Sequence, residues 1–199
     1  MGEQNMNIIQ DKKVTLIPLN QRNKEVFFNL FLELVYQENA PYYMQEFKLA
    51  GSDEEIKEKI LEKQQYGAYF WLVYPQLGKA SDPLGIITLE KYRNRCTVYF
   101  CFKTDALQKV KNLINNPTKL TYEENTIKAM LEECCSIEGV TRISTYVLLD
   151  IDNTVLPILL HKCGFVQEAI LRKYIEIENN IKDVLLFTFL NNEEEDIKL

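Results

Sequence analysis

The stretch Asn153-Thr154-Val155-Leu156-Pro157-Ile158-Leu159-Leu160-His161-Lys162-Cys163-Gly164-Phe165 decides how the rest of the chain is read. Thr154 to Lys162 reads as a helix, and Pro157 is acceptable because it falls in the first turn, where its missing N–H costs nothing. Asn153 stands at the N-cap position, where a side-chain oxygen takes a first-turn amide. Gly164 follows the helix as a residue that tolerates the left-handed cap conformation. Phe165 then opens the next strand. The segment is a helix–glycine–strand junction.

Working outward, Phe165 to Ile177 and Val184 to Leu190 read as a hairpin around Glu178-Asn179-Asn180. Upstream, Arg142 to Leu149 is a strand, and Gly139 ends the helix before it. That helix begins at a capping box, Thr121 with Glu124, and runs to about Ser136. Asp105 to Ile114 reads as a short helix stopped by Asn115-Asn116-Pro117. The aromatic and β-branched runs Tyr69 to Tyr74, Leu84 to Tyr92 and Cys96 to Phe102 form a meander with Asn94 in a turn, so antiparallel pairing is expected. The chain opens with a strand at Val14 to Pro18 and an amphipathic helix from Asn23 to Glu38, ended by Ala40-Pro41. A second capping box, Ser52 with Glu55, starts a helix that runs to Gln65. The Tyr42-Tyr43 pair falls between these helices and reads as loop.

The order predicts an α/β (mixed α+β) domain at 14–190, with a polar N-terminal extension at 1–13 and an acidic tail at 191–199. One sheet of about seven strands, with helices on both faces, is expected. The chain has 199 residues, 46% of them hydrophobic and 26% charged, which suits one globular domain. Its net charge of −6 and pI near 5.0 argue against a nucleic-acid partner, which would need a basic face. No apolar run approaches the ~20 residues that span a bilayer, so no membrane partner is expected. The five cysteines form no Cys-x-x-Cys pair and there is a single histidine, His161, so no metal site is expected. Cys134-Cys135 sits on a helix with one thiol expected partly exposed. Together these features suggest a reduced, cytoplasmic protein. Nothing fixes an oligomeric state.

The opening stretch resembles the signature N-x-x-S-x-x-x-x-E-K-x-G-F of the GNAT acyltransferase superfamily, with Asn153, Lys162, Gly164 and Phe165 in step. The element order is similar too, including the strand at Leu84-Gly85-Ile86-Ile87 and a closing hairpin with Lys182-Asp183. The resemblance is to the Rim-type branch, the ribosomal-protein N-terminal acetyltransferases. It implies the GNAT acyl-CoA N-acyltransferase fold, acetyl-CoA as co-substrate without a metal, and an amine-bearing small molecule or a protein N-terminus as acceptor.

In that family the cofactor's pyrophosphate sits on a helix start preceded by a glycine-rich turn such as G-K-G-Y-A-T-E. The physics is that a helix start offers free amides and partial positive charge, and glycines let backbone approach the phosphates. Aligned on Glu124, this chain reads Thr118-Lys119-Leu120-Thr121-Tyr122-Glu123-Glu124, with Thr118 and Leu120 where the glycines belong; no glycine occurs between Gly85 and Gly139. Leu156 stands where the family has the serine after Asn153, and Thr97 where many Rim-type members carry a glutamate. The segment Lys103 to Pro117 is longer than the family's usual connection.

The resemblance therefore assigns cofactor binding to Thr118, Lys119, Leu120, Thr121 and Tyr122 around the pyrophosphate, with Lys119 offsetting phosphate charge. Asn153 and the edge Phe100, Cys101 and Phe102 would hold the pantetheine arm. Tyr42-Tyr43 would shape the acceptor pocket. Cys101 reads as a small buried thiol and His161 as a surface helix residue, so no catalytic base is named. The first reading is an N-acetyltransferase acting on a primary amine, with a degenerate pyrophosphate loop. The alternative is a non-catalytic binding or interaction protein of the same fold that has lost the cofactor. A third is a donor other than acetyl-CoA, since Leu120 and Leu156 make the mouth more apolar.

Overall fold

The computed structural model describes residues 9–10, 14–37, 40–75, 82–104, 121–149, 155–177 and 179–191. The expected helix at 105–114, and the site candidates Thr118, Lys119, Leu120 and Asn153, lie outside the described residues. Along the described chain the elements are β1 (Ile9–Gln10), β2 (Val14–Pro18), α1 (Lys24–Val35), α2 (Tyr42–Lys48), α3 (Asp53–Gln65), β3 (Ala68–Pro75), β4 (Gly85–Tyr92) and β5 (Arg95–Phe102). They continue as α4 (Tyr122–Ser136), β6 (Arg142–Leu148), α5 (Val155–Lys162), β7 (Val166–Ile177) and β8 (Asn180–Leu190).

The strands form one sheet of eight in the order β1-β2-β3-β4-β5-β6-β8-β7. Seven are the expected ones, and β1 is a two-residue addition paired with β2 at Ile9↔Leu16. The expected meander is antiparallel throughout, β3 on β4 on β5. Only β5 and β6 run parallel, which makes the sheet mixed.

Alternation along the central strands builds two cores, one on each face. On β3, Phe70 and Leu72 join α1, α2 and α3, while Trp71 and Val73 join α4 and α5. The first core is rich in rings: Phe31 meets Phe47 at 4.8 Å and Phe27 meets Phe70 at 5.7 Å, both edge to face. Each such pair contributes about 0.5–1.5 kcal/mol beyond its buried area.

Three local devices act as the sequence predicts. Ser52 Oγ accepts the Glu55 amide at 3.3 Å and Thr121 Oγ1 accepts the Glu124 amide at 3.2 Å, so both caps form. Gly164 adopts φ +89° after α5. Its amide donates to the His161 carbonyl at 3.1 Å and the Phe165 amide to the Leu160 carbonyl at 3.0 Å. This double closure satisfies two carbonyls that the helix end leaves open.

One expectation is corrected. Tyr42 and Tyr43 open a helix of seven residues, α2, rather than a loop. Pro41 precedes it with extended backbone, and Tyr43, Met44 and Phe47 are buried. So short a helix owes its existence to burying that stripe against α1, not to its own propensity.

Candidate functional site: a cleft between diverging strands

β5 and β6 pair only at Arg95↔Arg142, Cys96↔Ile143 and Thr97↔Ser144. Beyond those pairs they separate, although β5 stays on β4 to Phe102 and β6 stays on β8 to Leu148. Among the described residues, no strand covers the facing edges from Val98 and Thr145 onward. Strand edges of this kind can pair with a ligand that carries amides of its own.

A cleft fills the wedge, lined by Tyr99, Phe100 and Cys101 of β5 and by Tyr146 and Val147 of β6. Leu156 of α5 and Tyr42 and Tyr43 of α2 complete it. Phe100, Val147 and Leu156 belong to the α4–α5 face, whereas Tyr43 and Cys101 belong to the α1–α3 face. The cleft therefore crosses the sheet. Thr97 sits at its apex, opposite Ser144 on one side and Glu90 of β4 on the other.

The α1–α3 side is walled by tyrosines. Tyr43 stacks on Tyr99 at 4.3 Å, Tyr42 lies 5.5 Å from Tyr146, and Tyr146 stacks on Tyr174 at 6.4 Å with planes 6° apart. Burial pushes the Tyr42 phenol up to about 12, with smaller contributions from Tyr174, Tyr146 and Glu46. Burial likewise raises Tyr43, Tyr99 and Tyr146. The Cys101 thiol is buried and pushed up by desolvation alone. These groups stay neutral at physiological pH.

At the start of α4, polar groups are largely self-satisfied. Thr121 takes the Glu124 amide on its side chain and the Asn125 amide on its carbonyl at 3.1 Å. Glu123 and Glu124 are both buried in the first turn, and Glu124 pairs with Lys128 at 3.1 Å. Their negative charge offsets the helix's positive end. Tyr122 is half-exposed there.

No protein-family model matches the chain, and no curated protein matches it by sequence. Solved structures match it closely in shape. A probable acetyltransferase of the GNAT family from Chromobacterium violaceum superposes with TM-score 0.65 at 17% identity, covering 96% of this chain and 90% of that one. Spermidine N-acetyltransferase from Vibrio cholerae, solved with CoA and spermine, gives 0.63 at 15% identity over 91% of this chain and 97% of that one. The ribosomal-protein alpha-N-acetyltransferase RimL, solved with CoA, gives 0.66 at 13% identity over 92% and 98%. The fold is that of the GNAT acetyltransferases.

On the GNAT fold, the residues predicted from sequence separate into groups. Phe100 and Cys101 line the cleft, while Phe102 packs behind Phe100 at 6.5 Å in the buried core. Thr121 and Tyr122 stand at the α4 start as expected. Leu156 is 6% exposed and lines the cleft, so its departure from the family's serine falls on the site itself. His161 is exposed on α5 with its ring edge-on to Phe187 at 5.2 Å, a surface position. Cys134 is buried and Cys135 partly exposed. Among the described residues no group of three His, Cys, Asp or Glu side chains could hold a metal ion. No described helix is long and apolar enough to cross a membrane.

Sequence reasoning passed over Tyr99, Tyr146 and Tyr174. Their signal was phase: Tyr99 alternates with Val98 and Phe100, and Tyr146 with Val147, placing polar-tipped rings on the helix-α2 side of the wedge. In sequence such residues look like ordinary strand formers.

Proposed function

We propose that this chain is an N-acetyltransferase that moves acetyl from acetyl-CoA to a primary amine. The observation that supports this most directly is the divergence of β5 and β6 after Thr97↔Ser144. A pantetheine arm carries two amides, and the open edges from Val98 and Thr145 offer matching donors and acceptors, as for an added strand. Phe100, Val147 and Leu156 supply an apolar wall for its methylene groups. The pyrophosphate would lie at the α4 start beside Thr121 and Tyr122, with Thr118, Lys119 and Leu120 completing that segment, and Asn153 would hold the pantetheine arm.

The amine would enter from the tyrosine side. Its lone pair attacks the thioester carbonyl carbon, the C–S bond breaks, and CoA leaves as the thiolate. None of the titratable groups lining the cleft, the tyrosines and Cys101, is shifted toward neutral pH. The ammonium therefore sheds its proton to water before attack, and rate comes mainly from positioning. Activity should then rise with pH toward the pKa of the acceptor amine.

A second reading, a non-catalytic binding protein of this fold, is favoured by the α4 start. There the Thr121 side chain occupies the Glu124 amide, one of the first-turn donors a phosphate would use. Calorimetry with acetyl-CoA and CoA separates the two. Micromolar affinity, about −8 kcal/mol, supports the transferase; no heat at millimolar ligand supports the binding protein.

A further inference from the structure

β7 departs from regular pairing where it passes the cleft. Its register on β8 slips between Leu171 and Ile175. Within the slip Lys173 takes φ +51°, a conformation disfavoured for a side chain of its kind, and its amide donates to Asp183 Oδ1 at 2.7 Å. The slip carries Tyr174 against Tyr146 with nearly parallel planes and within 6.4 Å of Tyr42. A bulge beside a site commonly serves to re-aim one side chain. Here it adds an outer ring, 50% exposed, to a wall already made by Tyr42, Tyr99 and Tyr146.

The carboxylates that bear on these rings, Glu46 and Glu90, already hold cations. Lys63 Nζ lies 3.0 Å from each, and Lys59 Nζ lies 3.8 Å from Glu46. Lys63 also sits over the Tyr43 ring at 5.3 Å. The acidic side of the wall is thus internally neutralised. An incoming ammonium meets ring faces, which attract a cation, and Glu46 and Glu90 offer it no spare charge. A ligand with several ammonium groups would leave the others uncompensated.

We infer that the tyrosine wall selects a monoamine with a flat apolar body, of the arylalkylamine class, and selects against polyamines. This rests on the acceptor end of the cleft proposed above, but the recognition belongs to the wall itself and needs no CoA.

Ligand-observed NMR and calorimetry on the full chain without CoA, using 2-phenylethylamine and spermidine, test it directly. Expected are saturable binding of 2-phenylethylamine and spermidine weaker by about tenfold or more. Tyr174→Ala should weaken 2-phenylethylamine about threefold or more, with recovery in Tyr174→Phe, because the ring face and not the hydroxyl is used. Equal or tighter spermidine binding, no 2-phenylethylamine binding, or indifference to Tyr174→Ala overturns the inference. Acetyl-CoA calorimetry on the same sample reports on the transferase reading separately. Phenylethylamine binding without CoA binding would sink the transferase and leave the amine site.

Discussion

At the start of α4 polar groups satisfy one another, whereas at the α2 end of the cleft an aromatic wall runs from buried Tyr43 to half-exposed Tyr174. The Thr121 side chain takes the Glu124 amide, which the helix start would otherwise offer, and buried Glu124 in that first turn is held by Lys128. At the other end, a slipped strand and a left-handed lysine are tolerated so that Tyr174 can face Tyr146. Backbone in a disfavoured conformation persists only where the surroundings impose it. The difference teaches that disfavoured backbone gathers at the α2 end, whereas local hydrogen bonds close the α4 start. Each end is open to a separate test.

The largest effect should come from the residue that fixes the wedge for both ends. A Cβ on Gly85 would lie 2.4 Å from the Cys101 carbonyl oxygen and 2.9 Å from Phe102 Cα. Both are backbone atoms that cannot step aside without moving β5. Gly85→Ala should therefore cost about 3 kcal/mol in urea unfolding and weaken ligands at both ends together. Loss at one end alone would show that the ends do not share the β4–β5 register.

Leu156→Ser sharpens the comparison at the cofactor end. Removing a buried leucine side chain should cost about 2–3 kcal/mol of stability. If Leu156 narrows a CoA site, the hydroxyl and the space gained should also tighten CoA about fivefold, the worth of one net hydrogen bond. Calorimetry showing no gain, with 2-phenylethylamine binding unchanged, would favour the non-catalytic reading.

Thr121→Ala has a smaller effect. The lost cap should lower stability by about 1 kcal/mol, read as a shift in the urea midpoint. It also releases the Glu124 amide, so CoA affinity should hold or rise. A fall in affinity would mean that the threonine hydroxyl itself contacts the ligand.

The fold was largely legible in sequence because its signals are local. The caps at Ser52 and Thr121, the glycine after α5 and the aromatic and β-branched runs of β3, β4 and β5 each depend on neighbours a few positions away. α2 was missed because a seven-residue helix has too few turns to show a period, and Pro41 looks like a terminator when it in fact precedes a helix start. The site was half legible. Phe100, Cys101 and Tyr42-Tyr43, singled out by resemblance for the pantetheine edge and the acceptor pocket, lie along the cleft, whereas Phe102, singled out with them, lies in the core. Tyr146 and Tyr174 were not, because they meet only through the pairing of β6 and β7 with β8 and a register slip between Leu171 and Ile175. No residue near Tyr174 announces that slip. Lys173 in particular is an unexpected occupant of a left-handed position, which glycine or asparagine fills more readily.

The smallest expected effect tests whether the tyrosine wall is as dry as its packing implies. Burial raises the Tyr42 phenol from its ordinary 10 to about 12. The folded chain therefore keeps this proton over a range in which the unfolded chain releases it. Its contribution to stability is complete below pH 10 and is lost as pH climbs from 10 through about 12, because the unfolded state there binds fewer protons. The group is half-exposed, so solvent screening limits the effect to about 1 kcal/mol or less. Urea midpoints measured between pH 9 and pH 11.5 should fall more steeply for the natural chain than for Tyr42→Phe, which has no proton to lose. Tyrosinate absorbance should show the same phenol ionising late. Equal alkaline slopes in the two proteins would mean that water already reaches Tyr42. The contrast between a self-satisfied α4 start and an aromatic α2 end that shields Tyr42 from water would then fail at its second term.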